Sequence, residues 1–321
     1  MADPFLYRWM TNLDLRARNY VPIIYLAIPG SSNSTSYAVR WNSIPAPIKP
    51  WMNFIFDFLV GKFSVNRCKT QNLNVYEQLQ NGVRYFDLQI CKKSKTANPI
   101  SGFYFCNGRY CDPVAEPLTL IKKYLESQRQ EFVILDFKKF YNMKRFDHDT
   151  IQDFLFKLFG KSIFGPRNGF LLDLTLTKAA QMGKQVLIIY RNDNFWENAW
   201  PDYCWPLLSV KVDNVEDLCG ALESKLKRRQ PGTGCISGYI YKPRALTLTS
   251  YSRNALTLSS RIRQWLPQQS AGFVSLNAPR LNIITADFID RQDAAFCKEV
   301  IRLNDWSLHT TQIKDDNESY V

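Results

Sequence analysis

The sequence predicts an α/β fold, drawn as a single (β/α)8 barrel, and three observations predict it. Short apolar runs alternate with helical stretches along most of the 321 residues. The runs are apolar on both faces, as parallel strands covered on both sides require. No linker, low-complexity tract or internal repeat divides the chain. Ile23–Ile28, Val83–Ile90, Phe103–Cys106, Phe132–Phe137, Gln185–Tyr190 and Asn282–Ala286 are the clear strands, and Ile236–Tyr241 and Phe273–Leu276 complete the eight that a closed barrel needs. The helices fall at Val75–Gln80, Pro117–Glu126, Thr150–Phe159, Val215–Arg228, Leu256–Leu266 and Arg291–Asn304. Pro117 opens its helix, where a missing N–H costs nothing. The expected organisation is one domain over residues 1–321, with a core from about Trp9 to Asn304 and a polar tail over 305–321.

Composition narrows the chemistry. The chain is 45% hydrophobic and 22% charged, which excludes disordered, collagen-like and coiled-coil classes. Lys and Arg number 41 against 29 Asp and Glu, and the formal charge of +12 favours anionic partners. The basic cluster Lys225–Arg229 ends a predicted helix, where cations suit the dipole, and no nucleic-acid-binding signature accompanies it, so nucleic acid is disfavoured. The eight cysteines lack paired metal spacing and read as reduced, mostly buried thiols, with Cys106 and Cys111 close enough in sequence to raise the question of a disulfide. Neither a signal peptide nor a membrane-spanning segment is visible, and a cytoplasmic location with peripheral membrane contact is expected. Only two histidines occur, His148 and His309.

Barrel chemistry gathers at the C-terminal ends of strands. Four blocks stand there in order: Tyr25-Leu-Ala-Ile-Pro-Gly-Ser31, Gln78-Leu-Gln-Asn-Gly-Val-Arg-Tyr-Phe-Asp-Leu88, Val133-Ile-Leu-Asp-Phe137 and Asn282-Ile-Ile-Thr-Ala-Asp-Phe288. Together they resemble the phosphatidylinositol-specific phospholipase C X-domain-containing proteins. The resemblance implies a distorted TIM-type barrel and phosphodiester-cleaving ancestry. It also implies two histidines, one as general base and one as general acid, with calcium or an arginine at the phosphate.

The sequence departs from that pattern at each point. Ser32 stands at the position of the first histidine and Asn107 at that of the second. Gln89 replaces the arginine of an Asp-x-Arg, and no second carboxylate replaces it for calcium. No catalytic residue of the family pattern is intact, no metal site is expected, and no cofactor is implied. Asn33, Asp87 and Lys138 still match polar positions and are the expected ligand-binding residues; Arg191, Lys242 and Arg244 are further phosphate candidates. His148, in a polar run, and His309, in the tail, read as structural. The expectation is a catalytically inactive relative that binds an inositol phospholipid, another anionic headgroup or a protein partner. The alternative is an active phosphoric diester hydrolase with an unconventional site, for which Cys106 is the nearby acid–base candidate.

A membrane contact is also expected. Trp51, Phe54, Ile55, Phe58 and Leu59 share one helical face. They follow a Pro-Ile-Lys stretch similar to one that precedes a membrane-docking helix in bacterial phosphatidylinositol phospholipases. Trp51 is the expected membrane-contacting residue. The competing reading packs this face onto the barrel.

Overall fold

The computed structural model describes residues 3–47, 65–66, 68–93, 98–194, 196–212, 217–227, 240–245, 260–269 and 281–305. Among the described residues nine strands form one sheet: β1 (Ile28–Ser31), β2 (Tyr85–Lys92), β3 (Phe103–Asn107), β4 (Arg109–Pro113), β5 (Val133–Tyr141), β6 (Val186–Tyr190), β7 (Leu207–Val212), β8 (Ile240–Ala245) and β9 (Ile283–Ala286). The parallel path runs β6-β5-β2-β1-β9-β8-β7. β1 has only four residues and pairs with β2 at Tyr85 and Phe86. Further along, β2 pairs at Ile90–Lys92 with the antiparallel hairpin β3–β4 instead.

The expectation of a closed eight-stranded barrel is therefore corrected. β6 and β7 end the path, and among the described residues no pairing joins them. The far edge of β6 is already satisfied: Phe164 N–H donates to Val186 O at 2.7 Å, and Trp200 N–H to Ile188 O at 2.8 Å. An edge covered by loops offers no ladder to an eighth parallel strand.

Several strand boundaries also move. Ile23–Tyr25, predicted as strand, is a 3-10 turn, and β1 runs through Pro29 and Gly30 instead. A Cβ on Gly30 would sit 2.6 Å from the Tyr85 ring, so the strand needs glycine there. β7 was not predicted: among the described residues it pairs with β8 alone, Leu207 is exposed while Val210 is buried, and the run lacks the all-apolar look of the central strands. The predicted strand Ile236–Tyr241 is seen as β8 from Ile240 onward; its earlier residues and all of Phe273–Leu276 lie outside the described residues.

Helix Val75–Gln80 matches its prediction and begins with a capping box, Asn74 accepting from Glu77 N–H and Glu77 from Asn74 N–H. Helices Ala115–Ser127, Arg145–Phe159, Leu218–Lys227 and Arg291–Arg302 follow their predicted segments. At the N-terminal ends of β2 and β5 the fold is pinned by a fully buried ion pair, Arg84 to Glu131 at 2.6 Å. The Arg84 guanidinium also donates to four backbone carbonyls, of Leu6, Tyr7, Leu79 and Val83, and lies over the rings of Trp9 and Tyr124. Glu131 accepts from the Thr11 amide and hydroxyl at 2.8 and 2.7 Å.

Candidate functional site

At the opposite end, the residues Ser31–Ser36 leave β1 as a tightly bonded loop. Ser32 N–H donates to Ala286 O of β9, and Ser34 and Asp87 exchange bonds at 2.9 and 2.8 Å. Asn33 takes the left-handed conformation, φ 43°, which asparagine tolerates better than most side chains. Ser32 O accepts from Thr70 and Gln71. Cys68 O in the same segment accepts from Asn107 Nδ2 at 2.6 Å. Residues 68–71 thus tie the Ser32 loop to the β3–β4 turn. Gly108 closes that turn with φ +73°, and the Cys68 thiol lies where a side chain would project.

Asp87, in β2 and 1% exposed, is the electrostatic centre. Its Oδ2 lies 3.0 Å from Lys138 Nζ and 2.5 Å from Lys242 Nζ. Lys138 reaches it because a bulge shifts the β2–β5 register, with Leu88 opposite Phe137 but Gln89 opposite Lys139. Such an irregularity re-aims a side chain. Burial alone would raise the Asp87 pKa, but the two ammonium groups outweigh it and hold the carboxyl well below the usual carboxylate range. Asp87 Oδ1 receives no hydrogen bond, and Lys138 Nζ, though ion-paired, makes no aligned one. Beside this pair, Gln89 Nε2 donates to Asn33 Oδ1 at 2.8 Å and Tyr141 Oη donates to Gln89 Oε1 at 3.2 Å.

The predicted residues are thus brought together as two contacts, Asp87–Lys138 and Asn33–Gln89, with Ser32 and Asn107 joined through their shared segment. Lys242 joins the first contact, whereas Arg191 does not. Its guanidinium grips Asp136 at 2.8 and 3.0 Å and donates to Trp205 O. The Arg244 side chain, Trp51 and His309 lie outside the described residues.

Sequence reasoning missed Tyr141 and the Asp136–Arg191–Tyr85 cluster, in which Tyr85 donates to Asp136 at 2.7 Å. The Asp136-Phe137-Lys138 block was visible, but the long-range partners carry no local signal. His148, although in a polar run of the sequence, is buried; its Nδ1 lies 2.9 Å from Tyr190 Oη and its ring stands edge-on to Phe140. Burial lowers its pKa.

Cys106 and Cys111 are free thiols packed into separate clusters, Cys106 with Cys91 and Cys111 with the main core. The hydrogen bond with Cys91, and then burial, push the Cys106 thiol well up. A thiol held protonated that way does not fit a general base at neutral pH. Calcium does not fit either, since it takes 6–8 oxygen ligands, and Asp87 shares its space with two ammonium groups.

No protein-family model matches the chain. It is 30% identical over 309 residues to PI-PLC X domain-containing protein 3 of Homo sapiens, covering 92% of both chains. It is 31% identical over 312 residues to the Danio rerio protein of that name, again with 92% of each covered. Identity to PI-PLC X domain-containing protein 2 of Mus musculus is 32% over 311 residues, covering 92% of this chain and 87% of that one. Among solved structures, a phosphatidylinositol-specific phospholipase C of S. aureus superposes with a TM-score of 0.65 at 14% identity, covering 92% of this chain and 97% of the other. The enzyme of Listeria monocytogenes superposes at 0.60 with 16% identity, covering 93% and 98%. At such identities the structures testify to the fold alone, and the sequence relatives carry the family. The chain belongs to the PI-PLC X domain-containing proteins.

Proposed function

We propose that this chain, of phosphoric-diester-hydrolase ancestry, binds the phosphate of an inositol-phospholipid headgroup at Lys138 and Lys242 and does not cleave it. The observation that carries the reading is Lys138 Nζ, buried, 3.0 Å from Asp87 and without an aligned hydrogen bond. A desolvated ammonium with uncommitted protons is a ready donor to a phosphate oxygen. Asn33 and Asp87 supply polar neighbours for the headgroup. Turnover is withheld because Ser32 and Asn107 offer no proton-transfer group near neutral pH, each such group being worth about 10²–10⁴ in rate. Asn107 spends its amide on Cys68 O.

The test is titration with glycerophosphoinositol, a soluble phosphodiester carrying the same headgroup. Lys138→Met is expected to weaken binding at least about tenfold, the worth of one charge-assisted hydrogen bond. Unchanged affinity would remove Lys138 from the site. A second reading, hydrolysis by unconventional groups, is favoured by the relatives and by the likeness to phospholipase folds. The comparisons weigh toward that reading, and the side chains at the site toward the first.

Membrane contact through Trp51 belongs to the same proposal. No helix among the described residues is long and apolar enough to cross a membrane. Just before the Trp51 segment, Trp41 is 82% and Ile44 56% exposed beside the exposed Arg40, on a turn held by Arg40 N–H to Ser43 Oγ. Aromatic, aliphatic and cationic groups at one rim suit an anionic interface. Trp51→Ala is expected to lower sedimentation with phosphatidylserine vesicles roughly tenfold, equivalent to about 1.4 kcal/mol of apolar contact. Equal binding by wild type and variant, or none by either, removes the contact.

A further inference from the structure

Two strands and the loop after β1 meet in one hydrogen-bonded chain beside the Asp87 cluster. Tyr141 at the end of β5 donates to Gln89 Oε1, and Gln89 in β2 donates through Nε2 to Asn33 Oδ1 in the loop after β1. Burial raises the Tyr141 hydroxyl to about 12, so at neutral pH it keeps the proton it donates. An amide has one accepting and one donating end. With Tyr141 donating to the Gln89 oxygen, the Gln89 NH2 is left facing Asn33, and Asn33 must answer with its oxygen. Its Nδ2 then remains the amide's uncommitted end; no described residue accepts from it. Tyr141 reaches Gln89 because the β5 bulge that turns Lys138 toward Asp87 also sets Tyr141 opposite Cys91, two residues beyond Gln89.

We propose that Tyr141 is a positioning residue that, acting through Gln89, fixes the Asn33 amide with its donor end free, so that the site offers donors and selects an oxyanion over an uncharged polyol. The proposal rests on the headgroup-binding reading above and deepens it. Asn33 Nδ2 and Lys138 would then present N–H groups together, and a phosphate oxygen accepts without having to donate. A hydroxyl group gains less from these two donors.

The experiment is calorimetric titration of the full chain with glycerophosphoinositol and with myo-inositol. The proteins are wild type, Tyr141→Phe, Gln89→Leu, the double variant and Lys138→Met, with each melting profile as the folding control. Tyr141→Phe is expected to weaken glycerophosphoinositol binding about fivefold, the scale of one neutral hydrogen bond, and to narrow its preference over myo-inositol. Gln89→Leu is expected to weaken it as much or more. The double variant should fall no further than Gln89→Leu alone, because a residue acting only through Gln89 has nothing left to act on. Additive losses, or Tyr141→Phe indistinguishable from wild type while Lys138→Met loses binding, would overturn the positioning role and leave the headgroup reading standing. Failure of wild type to bind glycerophosphoinositol would overturn both. A loss in Tyr141→Phe shared equally by both ligands would overturn the selectivity.

Discussion

Glu131→Gln is expected to destabilise the fold by about 3–5 kcal/mol, the cost of leaving a buried charge without its partner. Arg84 and Glu131 have no exposed side-chain surface and are 2.6 Å apart. Glutamine keeps the shape and can still accept from Thr11, so the loss isolates the charge rather than the packing. Against a typical total stability of about 5–15 kcal/mol, the variant stands near the folding threshold. Removing both charges, as Arg84→Met with Glu131→Met, should cost less than the sum of the single replacements, because neither then strands an ion. Urea unfolding of wild type, Glu131→Gln, Arg84→Met, Glu131→Met and the double Met variant measures this directly. A single-variant cost below about 1 kcal/mol, the range of an exposed pair, would mean that the pair is hydrated.

Asp87→Asn carries the second large effect, about 3 kcal/mol, since two nearly buried ammonium groups lose a carboxylate that they share. A carboxyl whose folded pKa lies below its unfolded value contributes its full stabilisation above about pH 4. That contribution is lost as the pH falls through the folded value. Wild type should therefore lose this share of stability on acidification below about pH 4, and Asp87→Asn should not. Because an oxyanion can stand in for the missing carboxylate, millimolar inorganic phosphate should recover more stability in the variant than in wild type. Equal acid sensitivity of the two proteins would show that Asp87 is not held as the structure places it.

The sequence made parts of this legible for identifiable reasons. The first five residues of β5 and all of β6 are buried, so their apolar runs stand out in the sequence, and the Asn74 capping box marks its helix locally. Closure of the sheet was not legible. It depends on what pairs with the far edge of β6, and that edge is taken by residues 162–164 and 200 through bonds no periodicity encodes. The β1 strand was misplaced because Pro29 and Gly30 read as turn residues, whereas the Tyr85 ring makes glycine necessary inside the strand.

At the site, Asp87 and Lys138 were found by position in a motif. Lys242, from a strand 155 residues away, was only one of several basic candidates, and just its contact with Asp87 singles it out. Arg191 looked equivalent in sequence and turned out to be spent on Asp136. The Tyr141–Gln89–Asn33 chain was invisible, since a bulge in the β2–β5 pairing brings Tyr141 within reach of Gln89.

If the site lacks only its proton-transfer groups and phosphate cation, Ser32→His, Gln89→Arg and Asn107→His together should produce detectable cleavage where wild type gives none. Returning either histidine to the native residue should lower it by about 10²–10⁴, and returning the arginine by about 10²–10³. The central claim is binding without turnover. It is tested most directly by incubating purified wild-type protein with vesicles containing radiolabelled phosphatidylinositol, with and without calcium, and counting both vesicle-bound protein and released water-soluble inositol phosphate. Bound protein is expected, with no release above a protein-free blank under either condition. Release by wild type that disappears in Lys138→Met would contradict it and establish this chain as an active hydrolase.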